Sequence, residues 1–318
     1  MQDILDDAND FAKSLHSFNL LQIQDQITLM NTIANVVMQG GTKRVSRICP
    51  TIVSTALDSI QEAITGSGES ADQAWYTFII KLCLSISDSR SPGLAIRLLL
   101  STAISASEYA SLELVAYECM EQAFLIFEDA ISDSKESSNI LYSIIDTLYS
   151  CHVFEDDNRA TLSYKTRSYC SKLLRRKDQC RAVLSCSHIF WQQKEGEGIN
   201  VLRDGKEVLS CLKRALRIAN AAQQQNSIFD RDSDELTVPG HLFVEILNKY
   251  FYYYLLNVPQ ISSETLNQVL ELAASEVHSA ACQEDNELQS YYQRTVDYIR
   301  HEKQEEVESK TLVIPRDR

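Results

Sequence analysis

Apolar residues recur at every third or fourth position along most of this chain, which is the spacing of an amphipathic helix. The first stripe ends at the glycine pair 40–41 and consists of Ile23, Ile27, Met30, Ala34 and Val37. Comparable stripes predict further helices at about 50–66, 75–88, 93–106, 109–131, 136–151, 157–175, 178–192, 208–219, 243–254, 266–277 and 287–306. Since no segment reads as a strand, the pattern predicts an all-α protein.

The segment 114–135 is apolar on more than one helical face. Its main stripe repeats at spacings of three and four: Leu112, Val115, Ala116, Cys119, Ala123 and Phe127. Four further apolar residues fall outside that stripe: Leu114, Tyr117, Leu125 and Ile126. Such a helix is expected to be covered on two sides, as happens in a stack of helical hairpins.

Many helices of similar length joined by short loops, with about 40 residues per pair, are typical of HEAT-like repeats. We therefore predict a HEAT-like α-solenoid of about six antiparallel helix pairs over residues 1–306, followed by a disordered tail at 307–318. The polar segment 226–237 is predicted to be a mobile surface loop. The side chains expected to be buried between helices include Trp75, Phe78, Leu82, Phe124 and Leu216.

The chain contains nine cysteines and no CxxC pair, and most of the cysteines lie inside apolar helical stripes. This placement predicts buried free thiols in a reducing compartment, with neither a disulfide nor bound zinc. No apolar run approaches the roughly 20 residues that cross a bilayer, and no signal peptide opens the sequence. These features predict a soluble, cytoplasmic protein.

The formal charge of −14 argues against nucleic-acid binding, because most of the surface would repel phosphates. The charge is uneven, however, since residues 165–217 contain 13 Lys and Arg against five Asp and Glu. This basic band suits an acidic partner or an anionic membrane surface. The alternative interpretation is that its side chains merely solvate helix faces.

No motif that would support catalysis is present: the chain lacks a Walker A sequence, a Rossmann glycine motif, HExxH and GxSxG. The six histidines are scattered along the chain. The spacings of Cys151 with His152 and of Cys186 with His188 do not place two ligands on one helical face. We interpret these histidines as structural, and the sequence predicts a protein that is not an enzyme and holds no cofactor or metal.

The run 249–256, KYFYYYLL, places aromatic side chains on every side of one helix. A single neighbouring helix cannot bury all of them, and tyrosine combines an apolar ring with a polar tip. Tyr250 and Tyr254 are therefore candidate anchors for a partner protein. Burial in the core of a solenoid is the alternative for both residues.

A second candidate surface is basic. Lys206, Lys213 and Arg217 share one helical face, because offsets of seven and eleven residues return close to the starting angle. An apolar stripe runs on the opposite face of the same helix. These three residues complete the candidate partner-binding set together with Lys172, Arg175 and Arg176, and a solvated outer face is the alternative.

Six blocks of sequence match the large subunit of retromer in order and spacing. They are VAYECMEQAF at 115–124, EDAISDSK at 128–135, SKLLRRKDQCRAV at 171–183, CSHIFW at 186–191, DGKEVLSCLKRALRIAN at 204–220 and FVEILNKYFYYY at 243–254. The chain thus resembles the vacuolar protein sorting-associated protein 35 family over roughly residues 25–300, and specifically its carboxyl-terminal half.

This resemblance implies a non-catalytic scaffold subunit of retromer, whose carboxyl-terminal half wraps the metallophosphoesterase-like small subunit. It also implies retrieval of transmembrane cargo from endosomes to the Golgi or the plasma membrane, by a cytoplasmic protein peripheral on endosomal membranes. Sorting nexins and other endosomal regulators are further candidate partners. The family's arginine-containing motif for the arrestin-like subunit has no counterpart in this chain.

Two alternatives from other classes stay open at this point. A helical-repeat scaffold of another vesicle coat would share the composition but would lack the ordered blocks. A lipid-binding module would use the basic band alone, and it would require the basic side chains to converge on one surface.

Overall fold

A computed structural model of the chain describes residues 23–67, 73–192, 202–226, 240–279 and 285–311, together with residues 10, 11, 13 and 282. These residues form twelve long α-helices and no β-strand, so the prediction of an all-α fold is confirmed. The helices are α1 Ile23–Gln39, α2 Thr42–Ser67, α3 Gln73–Asp88, α4 Pro92–Ser107, α5 Glu113–Ala130, α6 Ser134–Ser150, α7 Asp156–Cys170, α8 Arg176–Cys186, α9 Gly205–Asn226, α10 Gly240–Leu255, α11 Ser263–Val277 and α12 Asn286–Thr311.

Several helix boundaries follow from local chemistry. Gly41 adopts a φ of +86° between α1 and α2, a conformation that glycine reaches without a steric penalty. Asp133 caps α6, because its carboxylate accepts a hydrogen bond from the backbone N–H of Glu136 at 2.7 Å. Ser262 caps α11 through the backbone N–H of Thr265 at 3.2 Å.

Three boundaries differ from the sequence prediction. Pro50 lies inside α2 rather than at its first position, since this helix already begins at Thr42. α7 ends at Cys170 instead of near residue 175. α12 continues to Thr311, past the predicted end near residue 306, and residues 312–318 lie outside the described residues. Residues 227–239, which hold most of the predicted loop, also lie outside them.

Two segments predicted as single helices each combine an α-helix with a 3₁₀ turn. Ala110–Leu112 precedes α5, and Ser187–Phe190 follows α8. After the second turn, Trp191 forms an isolated antiparallel bridge with Arg203, which leads the chain into α9.

Contacts between residues divide the chain into two compact units. Unit 1 comprises Met1–Tyr169 and Gln193–Val201, and unit 2 comprises Cys170–Gln192 and Leu202–Arg318. The prediction of one continuous solenoid over residues 1–306 stays a prediction.

In unit 1, each of the helices α1 to α4 packs against the next helix and against the next but one. Consecutive helices are antiparallel: the hydroxyl of Tyr76, near the start of α3, lies 3.2 Å from that of Ser105, near the end of α4. Alternate helices are parallel, because Ser85 near the end of α3 donates to the sulfur of Met38 near the end of α1, at 3.5 Å. This alternation is the arrangement of stacked helical hairpins.

Unit 2 repeats the same arrangement. α8 packs against α9, α10 packs against α11, and α12 contacts both α10 and α11. Arg181 and Ser187 contact Glu245 and Tyr253 of α10 in the same order along the chain, so α8 and α10 run parallel. The helical pairing predicted from the sequence is therefore present in each unit.

Most residues predicted to lie between helices do so. Trp75, Phe78, Leu82 and Phe124 are buried, with exposed fractions between 0 and 7%. Leu216 is only half-buried. It precedes an exposed basic residue, Arg217, and faces the edge of the packed surface of α9 rather than its centre.

The prediction that α5 is covered on two sides is wrong for two of its residues. Leu114 is 74% exposed and Leu125 is 46% exposed, whereas Ile126 is buried. An offset of eleven residues puts both leucines on one face of the helix. The neighbours of α5 in this chain pack on its other faces, so periodicity alone overestimated how much of α5 is covered.

Candidate partner-binding site

The candidate residues predicted from the sequence all belong to unit 2 and come from three separate elements. The first is the loop 171–175 with the first residue of α8, the second is the outer face of α9, and the third is α10. Each element positions its side chains for a different reason.

The loop between α7 and α8 presents Lys172, Arg175 and Arg176 to solvent. Leu173 is 9% exposed and anchors the loop, whereas Leu174 is 81% exposed between the basic residues. The guanidinium of Arg176 donates to the side-chain oxygen of Gln179 at 2.9 Å, which fixes it over the first turn of α8. The three basic side chains are therefore exposed, and residues 171–175 form a loop where the sequence pattern predicted the end of a helix.

α9 separates charge and packing onto opposite faces. Lys206, Lys213 and Arg217 are all exposed. The buried side of the helix carries Val208, Leu212, Ala215 and Ala219. The thiol of Cys180 on α8 donates to the backbone carbonyl of Ala215 at 3.6 Å, which shows that the buried side faces α8. The charged face consequently points away from α8.

The aromatic run of α10 is divided between the core and the surface. Tyr250, Phe251 and Tyr253 are buried, with exposed fractions of 1%, 2% and 0%. Burial raises the pKa of Tyr250 to about 12. Tyr250 is thus a core residue in this structure rather than a surface anchor, because the helices around α10 cover its position. The core alternative holds for this tyrosine.

Two tyrosines of the run keep part of their rings accessible. Tyr254 is half-buried and stacks on Phe251, with 6.3 Å between ring centroids. Tyr252 is half-buried against His188, with 5.1 Å between ring centroids. The predicted anchor Tyr254 therefore lies at the surface, and Tyr252 joins it as a residue that the sequence analysis did not select.

The structure also pairs His188 with Lys249, which the sequence analysis missed. The amine Nζ of Lys249 contacts the ring nitrogen Nε2 of His188 across 61 positions of sequence. Burial and then the charge of Lys249 lower the pKa of His188 to about 4. Burial also lowers the pKa of Lys249 below its usual value. No short-range spacing signals a contact between residues this far apart, so only the fold reveals the pair.

All nine cysteines are buried and free. Burial raises the pKa of Cys49 to about 11 and the pKa of Cys83 and Cys180 to about 12. Hydrogen bonds with the thiols of Cys170 and Cys211, together with burial, raise the pKa of Cys186 well above its usual value. The prediction that most of the thiols are buried inside helices is confirmed, since only Cys151 and Cys282 lie outside them.

The described part of the chain has no cluster of three or more His, Cys, Asp or Glu side chains arranged to hold a metal ion. Within the same residues, no helix has both the length and the hydrophobicity that crossing a membrane requires.

Comparison with known proteins gives a consistent result. Residues 1–276 match the family described as vacuolar protein sorting-associated protein 35. The chain is similar to Vacuolar protein sorting-associated protein 35A of Arabidopsis thaliana, with 34% identity over 311 residues, which are 96% of this chain and 38% of that relative. It is also similar to Vacuolar protein sorting-associated protein 35 of Schizosaccharomyces pombe, with 29% identity over 284 residues.

The fission-yeast match covers 87% of this chain and 32% of that relative. The chain therefore spans about two fifths of the length of the Arabidopsis relative and about one third of the length of the fission-yeast relative. The family match covers most of the chain, and the helical hairpins described above fit the resemblance that the sequence blocks indicated. The chain belongs to the vacuolar protein sorting-associated protein 35 family.

Proposed function

We propose that this chain is a non-catalytic scaffold segment of a retromer large subunit and that unit 2 binds the metallophosphoesterase-like small subunit. In this role the protein supports retrieval of transmembrane cargo from endosomes, and it is cytoplasmic and peripheral on endosomal membranes. The observation that carries the location of the site is the incomplete burial of the α10 aromatic run. Tyr252 and Tyr254 stay accessible although their neighbours Phe251 and Tyr253 are in the core.

Half-exposed tyrosines suit a protein interface. Their rings are already held, Tyr254 by Phe251 and Tyr252 by His188, so little rotamer freedom is lost on binding. Aromatic side chains of this kind supply a large share of binding energy when a partner removes them from water. We therefore assign Tyr252 and Tyr254 the role of anchors for the small subunit.

The charge distribution supports the same unit. Unit 1 contains 24 acidic and 12 basic residues, whereas unit 2 contains 20 acidic and 18 basic residues. An acidic partner would be repelled by unit 1 and steered toward the basic residues of unit 2. Lys206, Lys213 and Arg217 are exposed on one face of α9 and are the residues we expect to accelerate association.

The experiment measures the affinity of the purified small subunit for the full chain by calorimetry, and the association rate by stopped flow. Replacing Tyr252 and Tyr254 together by alanine is expected to weaken binding by about tenfold or more, as loss of anchor residues does. Reversing the charge of Lys206, Lys213 and Arg217 to Glu is expected to slow association mainly at low salt. Truncation after residue 193 is a poorer test, since it would split unit 2.

Matched controls come from unit 1. Tyr164→Ala removes an aromatic ring that is 44% exposed, and Lys135→Glu reverses an exposed charge. Both variants are expected to bind like the wild type. Equal weakening by the control and test variants would overturn the assignment of the site to unit 2. If the small subunit does not bind, and the chain binds anionic vesicles instead, the lipid-binding alternative replaces the retromer role.

A further inference from the structure

Among the described residues, the large apolar side chain with the greatest exposure belongs to Leu174, in the loop that precedes α8. It is 81% exposed, whereas its neighbour Leu173 is 9% exposed and packs into the protein. A leucine side chain in water gains free energy when another surface covers it. The role proposed above for α9 and α10 does not use this side chain.

Basic residues flank this leucine on both sides. The stretch 172–177 contains four basic residues and no acidic one, so its charge is +4 although the whole chain carries −14. The first acidic residue after it is Asp178 in α8. Exposed charges are screened beyond roughly 8 Å at physiological ionic strength, so the local charge determines what this segment attracts. The exposed basic side chains are Lys172, Arg175 and Arg176.

The buried side chain of Gln179 holds the loop in one conformation. It is 6% exposed, and its amide donates a hydrogen bond to the backbone carbonyl of Ser171. Its side-chain oxygen accepts a hydrogen bond from the guanidinium of Arg176 at 2.9 Å. Because one residue fixes both ends of the loop, Leu174 points outward from an ordered backbone, and little conformational freedom is lost on binding.

We propose that the basic loop, residues 171–175 together with the first residue of α8, is a contact site for an anionic membrane surface. Its basic side chains reach the lipid headgroups, and Leu174 inserts at their boundary with the acyl chains. A membrane suits this loop better than an acidic protein does. A protein would need a preformed pocket for one protruding leucine, whereas a bilayer accepts such a side chain anywhere on its surface.

The test measures co-sedimentation of the full chain with phosphatidylcholine vesicles that contain about one third phosphatidylserine, and with vesicles of phosphatidylcholine alone. Each basic residue near an anionic surface strengthens binding by roughly fivefold. Replacing Lys172, Arg175 and Arg176 together by Gln is therefore expected to weaken binding to the anionic vesicles by about a hundredfold. Leu174→Ser is expected to weaken it by about fivefold or more.

The matched control is the replacement of Lys206, Lys213 and Arg217 by Gln, which removes the same charge from unit 2. The charged face of α9 points away from α8, so this variant is expected to lose less than about threefold in affinity. Equal weakening by the two triple variants would place the attraction in the whole basic band, and the proposal would then be wrong.

Insertion of the leucine is measured separately, with Leu174→Trp and vesicles of brominated lipids that quench tryptophan fluorescence. Leu114→Trp is the control, because Leu114 is 74% exposed but follows the acidic Glu113. The native Trp75 and Trp191 are buried and give a constant background. We expect quenching and a blue-shifted emission for the tryptophan at position 174 and neither change at position 114.

Three results would overturn the proposal: no binding of the wild type to the anionic vesicles, binding without quenching at position 174, or equal quenching in both variants. A change in oligomeric state caused by Leu174→Ser in the absence of lipid would assign the loop to a contact between copies of the chain, and would also overturn it. The binding of the small subunit is measured without lipid, so failure here leaves the proposed function standing.

Discussion

The contact between α5 and α7 in unit 1 and the contact between α8 and α10 in unit 2 join parallel helices in two different ways. In unit 1, Glu121 on the earlier helix pairs with Lys165 on the later one at 3.0 Å. In unit 2 the order of charge is reversed, because Arg181 is on the earlier helix and Glu245 on the later one, at 2.7 Å. The same helix geometry is thus compatible with either order of charge.

The two contacts also differ in what surrounds the ion pair. In unit 1, Glu113 accepts hydrogen bonds from the backbone N–H of Glu155 at 2.7 Å and from the side chain of Asn158 at 2.8 Å. A carboxylate at the amino end of α7 is favourable because the helix dipole and unpaired N–H groups are there. In unit 2, the titratable pair of His188 and Lys249 lies on the other side of the ion pair, since both residues follow Arg181 and Glu245 along the chain. The stability of unit 2 is therefore expected to depend on pH.

The largest expected effect is the loss of stability after removal of a core side chain from unit 1. Phe124 is 0% exposed and stacks on Tyr169, with 5.5 Å between ring centroids. Phe124→Ala is expected to lower the free energy of unfolding by about 3–5 kcal/mol, because it leaves a cavity between α5 and α7. Hydrogen exchange followed by mass spectrometry should show the loss of protection in peptides of unit 1.

The neighbouring substitution Leu125→Ala is the matched control, since Leu125 is 46% exposed. Its cost is expected to stay below about 1 kcal/mol. An equal loss of protection in both units after Phe124→Ala would show that the two units unfold together as one cooperative body.

A smaller effect is expected from acid. The pKa of His188 is about 4 in the folded chain and about 6.5 when unfolded, so the unfolded state binds a proton between these values and the folded state does not. The free energy of unfolding is therefore expected to fall as the pH decreases from 6.5 toward 4. The protonation of His188 contributes on the order of 2–3 kcal/mol to this decrease.

His188→Gln should flatten this part of the pH dependence, as measured by urea unfolding at pH 4.5 and pH 7. The relevant quantity is the difference between the two pH values within each protein, which removes any cost that the substitution has at neutral pH. An identical pH dependence in the variant would mean that His188 is not buried as a neutral base.

The smallest effect concerns the two ion pairs. Double-mutant cycles to alanine are expected to give about 0.5–1 kcal/mol for Arg181 with Glu245, which is bidentate, and about 0.2–0.5 kcal/mol for Lys165 with Glu121. Exchanging the residues of one pair, Arg181→Glu with Glu245→Arg, should keep the stability within about 1 kcal/mol of the wild type. A much larger loss would show that the order of charge helps to determine which helices pair.

The sequence determined the features that depend only on where a residue lies around the axis of its own helix. The period of three to four residues located the helices, and it separated Lys213 and Arg217 from Leu212 and Ala215 on α9. The capping chemistry of Asp133 is likewise local, because its partner is only three residues away. These properties need no neighbour to define them.

The tertiary structure decided which faces of each helix are covered by a neighbouring helix. Leu114 and Leu125 are as apolar as the core residues of α5, yet no helix among the described residues of unit 1 covers their face. On α10, Tyr250 is buried while Tyr254 is half-buried. The contact of His188 with Lys249 spans 61 positions and depends on the parallel packing of α8 and α10. Periodicity gives a direction for each side chain, but burial and pKa depend on what lies in that direction.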